Sequence, residues 1–198
     1  MPWILHESIS DQEDVTWALR NPSTGADRTT PKIYMPTVEI SEGEYPLDFQ
    51  QTSSHTELTD FMRGGSLGVV LVSQAFRDLI EEMDPGHSLY YPVVLHCDDG
   101  RIIKDEYFLH KFSDFIDDGV IVDESDVQPV VRKGKIRFYS SSAWPKLVWR
   151  SDRIKDRHVF SDSYLRDRFC VSDAFLEAAE DKGFKGFQKI ESFIHYVS

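Results

Sequence analysis

Two serines stand where a nucleophile could. Ser73 follows the apolar run 67–72 and Ser172 follows Phe169-Cys170-Val171, and each opens a helical pattern. The strained elbow that exposes a hydrolase serine needs glycine two residues to either side. Here the flanks are Leu71 and Ala75, and Cys170 and Ala174, so both serines read as helix N-caps. His87, His96, Cys97 and His110 are the nearest approach to a metal set. Adjacent side chains on a strand point to opposite faces, which separates His96 from Cys97. No Cys-x-x-Cys or His-x-x-x-His spacing occurs. The expectation is no catalytic residue, no metal and no cofactor.

Charge is the other chemistry on offer. Asp114, Asp117, Asp118, Asp123, Glu124 and Asp126 crowd thirteen residues that hold no Lys or Arg. A calcium loop wants acids at alternate positions around a central glycine, and this spacing fails. Two readings are open, a solvated loop and an acidic patch that meets a basic partner. Further on, Arg132, Lys133, Lys135, Arg137, Lys146, Arg150, Arg153, Lys155 and Arg157 interleave with Phe138, Tyr139, Trp144 and Trp149. Such mixtures bind single-stranded nucleic acid. Short strands with charged outer faces, close to the chain's own acids, have the same composition, and that reading is preferred.

The 198 residues suffice for one substantial core, or two small lobes sharing it. Net charge is −12, unevenly spread. Residues 1–131 hold 8 Lys/Arg against 25 Asp/Glu, whereas residues 132–168 hold 11 against 4. That field discourages non-specific nucleic-acid binding and steers a basic partner inward, or simply keeps the chain soluble. Cys97 and Cys170 are too few and too far apart for a disulfide framework and read as buried, reduced thiols. The first residues lack the basic start of a signal peptide, and no apolar stretch nears the ~20 residues a membrane helix needs. A cytoplasmic protein is expected.

These residues must be positioned by an α+β fold: a mixed, largely antiparallel sheet with helices packed against it. Residues 3–6 suggest a strand, Ser10 and Glu13 a capping box opening a short helix toward Leu19, and residues 21–25 a turn. Pro31, Pro36 and Pro46 interrupt the chain beyond that turn, so residues 1–50 read as an irregular N-terminal region and residues 51–198 as the α+β domain. Ser54 and Glu57 form a second capping box, and Leu58, Phe61 and Met62 sit at helical spacing before Gly64-Gly65. Ser73 opens a helix with Phe76, Leu79, Ile80 and Met83 on one face, ended by Asp84-Pro85-Gly86. A hairpin comes next, turning at Asp98-Asp99-Gly100. A second turns at Lys133-Gly134, and short strands are expected at 146–150, 158–160 and 169–171. Ser172 then opens a helix with Ala174, Phe175, Ala178 and Ala179 on one face. A seam is expected near residues 124–134. The five residues Val72-Ser73-Gln74-Ala75-Phe76 and Val171-Ser172-Asp173-Ala174-Phe175 agree at four positions, so a duplicated strand–cap–helix unit, one per sub-lobe, and convergence on good capping are both open.

Taken in order, six segments resemble a known family: 68–73, Tyr91-Pro92-Val93, Tyr107-Phe108-Leu109, His158-Val159-Phe160, Cys170-Val171-Ser172 and Gly183-Phe184-Lys185-Gly186-Phe187. Together they resemble immunity-protein family eleven of bacterial polymorphic toxin systems, over roughly residues 60–190. The family's usual Gly-x-x-Phe ending is replaced here by Gly183-Phe184 and Gly186-Phe187. The resemblance implies a cytoplasmic protein that binds and neutralises a toxin effector encoded beside it, with no functional residue carried over. An enzyme with dispersed active-site residues and a nucleic-acid module using residues 132–168 are the alternatives.

Overall fold

The computed structural model describes residues 2–7, 17–19, 39–42, 46–52, 57–63, 69–141, 145–166 and 168–195. The capping boxes at Ser10 and Ser54, the 21–25 turn, Pro31, Pro36 and Gly64-Gly65 lie outside them. The strands are β1 Trp3–Glu7, β2 Trp17–Leu19, β3 Leu47–Gln51, β4 Phe61–Arg63, β5 Val70–Ser73, β6 Ser88–His96 and β7 Ile102–Phe112. After these come β8 Val127–Arg132, β9 Lys135–Ser141, β10 Val148–Arg150, β11 Val159–Phe160, β12 Phe169–Val171, β13 Phe187–Glu191 and β14 Phe193–His195. The helices are α1 Gln74–Met83, α2 Ser151–Ile154 and α3 Asp173–Asp181. Sheet dominates and the class is α+β.

Six strands form one sheet in the order β2-β3-β6-β7-β5-β4, antiparallel except for the β3–β6 pair. Four form a second, wholly antiparallel sheet in the order β11-β12-β1-β13. Alternation along the strands divides the apolar residues among three cores. Val70, Val72, Phe108 and Phe112 of the large sheet and Leu5, Phe169 and Val171 of the small one share the middle core with α1 and α3. Leu71, Tyr107 and Leu109 point the other way, into a core with Trp17, Phe49 and Leu95. Ile4, Phe160 and Cys170 point away from the small sheet, toward Trp149, Ile154 and Leu165.

At two places where a helix is expected, the described residues Phe61–Arg63 and Trp17–Leu19 are strands. Phe61 and Met62 are both 1% exposed, yet Phe61 enters the middle core and Met62 the outer one. Neighbours on opposite faces have the period of a strand, so pairing to β5 overrides the helical spacing. Trp17 likewise lies in β2, paired to β3, where its indole is fully buried. On α3 the buried face is Phe175, Leu176 and Ala179, with Ala174 exposed, a rotation of the expected stripe by about one residue. The α1 stripe stands as read: Phe76, Leu79 and Ile80 are buried and Met83 packs on the middle core.

Both strand–serine–helix units are present. Ser73 Oγ accepts the Phe76 amide and Ser172 Oγ the Phe175 amide, each at 3.2 Å. The two phenylalanines meet edge to face with centroids 5.7 Å apart. Beyond α3, the amides of Asp60 and Phe61 donate to the Lys185 carbonyl, and the Lys185 amide donates to Asp60 Oδ2. This clasp leaves no room at Gly186, whose φ is +100° and where a Cβ would collide with the Phe61 carbonyl and the Thr59 side chain.

Gly183 has φ +72° but open space around it. Gly183→Ala should therefore cost about 1 kcal/mol, the left-handed backbone penalty alone. Gly186→Ala adds a clash with backbone and should cost at least ~3 kcal/mol. Denaturant midpoints of the two variants check this, and equal losses would mean the clasp gives way freely.

Candidate functional site

The acidic segment is a fixed loop laid along the rest of the fold. Its backbone bonds to two neighbours: Ile116 N–H donates to the Ser161 carbonyl, Arg150 N–H to the Gly119 carbonyl and Ile121 N–H to the Val148 carbonyl. Beneath it lies Asp162, fully buried, accepting amides from Gly119 at 2.9 Å and Tyr164 at 2.8 Å. Burial pushes the Asp162 carboxyl up from its ordinary range, and the amides partly offset this. Gly119 is required by proximity, since a Cβ there would meet Ile116 at 2.7 Å.

All six acids of the segment are exposed, but they are not equivalent. Asp114 is committed inward, 3.1 Å from both Arg157 Nη1 and His87 Nδ1. Asp126 accepts the Lys146 amide at 3.0 Å and donates its own to the Lys146 carbonyl. Asp118 sits at φ 55° and faces Arg150 at 3.8 Å. Asp117 and Asp123 have no ion-pair partner among the described residues, and Glu124 lies with Asp123 on a 3-10 turn. All six carboxylates thus reach water, but Asp114, Asp118 and Asp126 also hold partners within the fold.

Arg157 reaches a residue that sequence reasoning took only for a helix terminator. Asp84, buried at the end of α1, accepts the amides of His158 at 2.9 Å and Val159 at 2.7 Å, and Arg157 Nε at 3.3 Å. It ties α1 to β11 across more than seventy residues of chain. No local signal announces such a role, because its partners are backbone groups.

The described residues hold no cluster of His, Cys, Asp or Glu fit for a metal ion. His96 pairs with Asp48 at 2.6 Å. Cys97 and Cys170 are buried and form no disulfide, and burial pushes the Cys97 thiol up. One unforeseen pair has catalytic residue types: Ser88 Oγ lies 2.9 Å from His110 Nε2. The imidazole is buried against the rings of Tyr90, Phe112 and Phe169, and burial lowers its pKa to about 3. A base that weak does little to activate a hydroxyl at neutral pH. The pair satisfies two polar groups in an aromatic setting.

The basic segment divides in two. Arg150 and Arg157 serve the acidic loop, and Lys146 lies over the Phe193 ring. Trp149 and Tyr139 are buried, which removes two of the four aromatics a nucleic-acid platform would need; Trp144 lies outside the described residues. The cations of the β8–β9 hairpin stand apart from this network. No helix among the described residues is long and apolar enough to cross a membrane.

With this geometry in view, comparison with known proteins is informative. The chain belongs to the Immunity protein family (Imm11), whose profile matches residues 8–191. The match begins some fifty residues before the motifs first read from sequence. No curated protein matches the chain.

His110 makes stability depend on pH. The unfolded chain takes up a proton near pH 6.5 and the folded chain only near pH 3. Between those values the unfolded state binds more protons, so stability falls as pH falls, by up to about 1.4 kcal/mol per pH unit from this group. His110→Gln should remove that increment, seen as a shallower loss of stability from pH 6 to 4 in denaturant titrations. Parallel curves for the two proteins would show that the imidazole accepts its proton while folded.

Proposed function

We propose that this chain is a cytoplasmic immunity protein that binds a toxin effector encoded beside it and neutralises it by occupancy. Membership of the immunity family across residues 8–191 carries the reading. The family suggests a role without catalysis. The capping serines hold helices, the Ser88–His110 pair sits in an aromatic core, and the exposed carboxylates stand on a rigid loop.

In this proposal the acidic surface accelerates encounter with a basic face of the toxin. The excess of acid over residues 1–131 supplies a long-range field, and Asp117, Asp118, Asp123 and Glu124 are exposed carboxylates on the loop; Asp114 and Asp126 belong to the same patch and also hold Arg157, His87 and the Lys146 amide. Residues 51–198 form the family-like domain, with a seam near 124–134 where the acidic loop gives way to β8, and residues 1–50 lend it β1, β2 and most of β3. We further take the two strand–serine–helix units as marks of two sub-lobes. Their supports are parallel: Ser73 N–H donates to the Asp60 carbonyl and Ser172 N–H to the His158 carbonyl, while each Oγ contacts that same residue's side chain at 2.8 Å.

Co-expression of the neighbouring toxin with and without this chain tests the function: growth should be restored only when both are present. A toxin that stays lethal and forms no complex would refute it. Replacing Asp117, Asp118, Asp123 and Glu124 by their amides should slow association several-fold and flatten its salt dependence, leaving dissociation nearly unchanged. Asn tolerates the left-handed backbone at 118, so the fold should be kept. Wild-type association kinetics in the amide variant would reassign the acidic loop to solubility alone.

A further inference from the structure

The β8–β9 hairpin is fastened at its foot and exposed at its tip. Val127 and Tyr139 are buried in the third core, Tyr139 N–H donates to the Tyr164 carbonyl, and Arg168 donates to Ser141 Oγ. Five strand steps from Val127 to Arg132 carry the tip roughly 17 Å from the foot. The turn is stiff: Lys133 and Gly134 have φ of 53° and 72°, the two successive left-handed residues of a type I′ hairpin.

Three of the five large apolar side chains most exposed among the described residues lie on this ribbon: Val131 at 58%, Phe138 at 51% and Ile136 at 39%. They form cross-strand pairs, Val130 with Phe138 and Val131 with Ile136. Val130 and Val131 are neighbours, so the pairs lie on opposite faces. The register shift between them adds one residue to β9, which puts Ile136 and Phe138 on opposite faces as well. A ribbon that only covered a core would show apolar residues on one face. Apolar residues on both faces suit a ribbon inserted between two walls.

Arg132, Lys133, Lys135 and Arg137 surround those side chains, exposed and without an ion-pair partner among the described residues. Residues 127–151 contain no Asp or Glu, in a chain of net charge −12. The tip stands about two Debye lengths from the acids at its foot, so they neutralise it poorly. Cations around an apolar centre match a carboxylate-rimmed apolar groove in a protein. Nucleic acid fits less well: Phe138 is the only strongly exposed aromatic on the ribbon, stacking platforms use several, and the net field repels phosphate. An anionic membrane meets the same repulsion.

We propose that the β8–β9 hairpin is the element that enters the toxin, with Val131, Ile136 and Phe138 seated in an apolar groove and the four cations paired with carboxylates on its rim. This rests on the immunity reading above. The long-range field and the local contact differ in sign, so the toxin would be basic overall and acidic at the groove.

The test uses the full chain, the neighbouring toxin with its own activity abolished, and two variants. Val131→Ser/Ile136→Ser/Phe138→Ser should weaken binding roughly a hundredfold, mostly through faster dissociation, and abolish protection. Arg132→Gln/Lys133→Gln/Lys135→Gln/Arg137→Gln should weaken it roughly tenfold, mainly at low salt. Hydrogen exchange on the wild-type complex, which needs no variant to fold, should show amides of residues 128–138 newly protected. If both variants bind as wild type and those amides exchange freely, the hairpin is not the contact and the immunity reading stands. If the wild-type chain neither binds nor protects, both fall. Retention of single-stranded oligonucleotide or phosphatidylserine vesicles by the wild type, lost in the Gln variant while toxin affinity is intact, would overturn the proposal. So would a dimer of this chain that the Ser variant dissolves.

Discussion

The middle core is the constraint on which the rest of the molecule depends. Two sheets face each other across it, and neither α1 nor α3 could be buried without both. Phe61 and Phe169 meet edge to face at 5.3 Å, and Phe76 packs against Phe169, Phe175, Phe184 and Phe187. Rings in such a cluster fit only in a few offset or tilted arrangements, so their positions fix strand register. Once Leu5, Phe61 and Phe169 face inward, their neighbours Ile4, Met62 and Cys170 must face outward. The two outer cores are thus consequences of the inner one.

That dependence explains which parts of the fold could be read from sequence. The α1 and α3 helices were legible because their signals are local: a capping serine, an apolar stripe, and a glycine or Asp-Pro-Gly stop. The 88–112 and 127–141 hairpins were legible from Asp-Gly and Lys-Gly turns between apolar runs. Leu58, Phe61 and Met62 misled because three apolar residues fit two periods, and only the partner strand β5 decides between them. The helix expected toward Leu19 misled because its capping signal is local, whereas β2 is specified by its pairing to β3. The α3 stripe shifted because Leu176 packs against the middle core while Ala174 meets only solvent.

The candidate site was legible in composition and illegible in use. The crowding of acids at 114–126 is plain in the chain, but Asp114 and Asp126 look no different there from Asp117 and Asp123. What separates them is whether Arg157, His87 or the Lys146 backbone comes within reach, and those partners are set by the sheets. Asp84 and Asp162 were invisible as organisers because they hold backbone amides, which every residue but proline supplies. For the hairpin, alternation revealed the strands and the tip. Which apolar residues remain in water depends on where the body of the protein ends.

The same geometry sorts the cations, and this is where fold and function join. Arg150 and Arg157 come from β10 and the loop after α2, under the acidic segment, and there they meet the charges that composition placed nearby. The desolvation of Arg157 is offset by Asp84, Asp114 and the Val159 carbonyl. Arg132, Lys133, Lys135 and Arg137 belong to the same basic stretch of sequence but ride on the hairpin, with no ion-pair partner among the described residues. A segment that reads as one basic patch is therefore divided by the fold, part of it on the β8–β9 hairpin and part beside the acidic loop. Arg150 and Arg157 pair with carboxylates of the acidic loop, and the hairpin holds four cations and three apolar side chains exposed together.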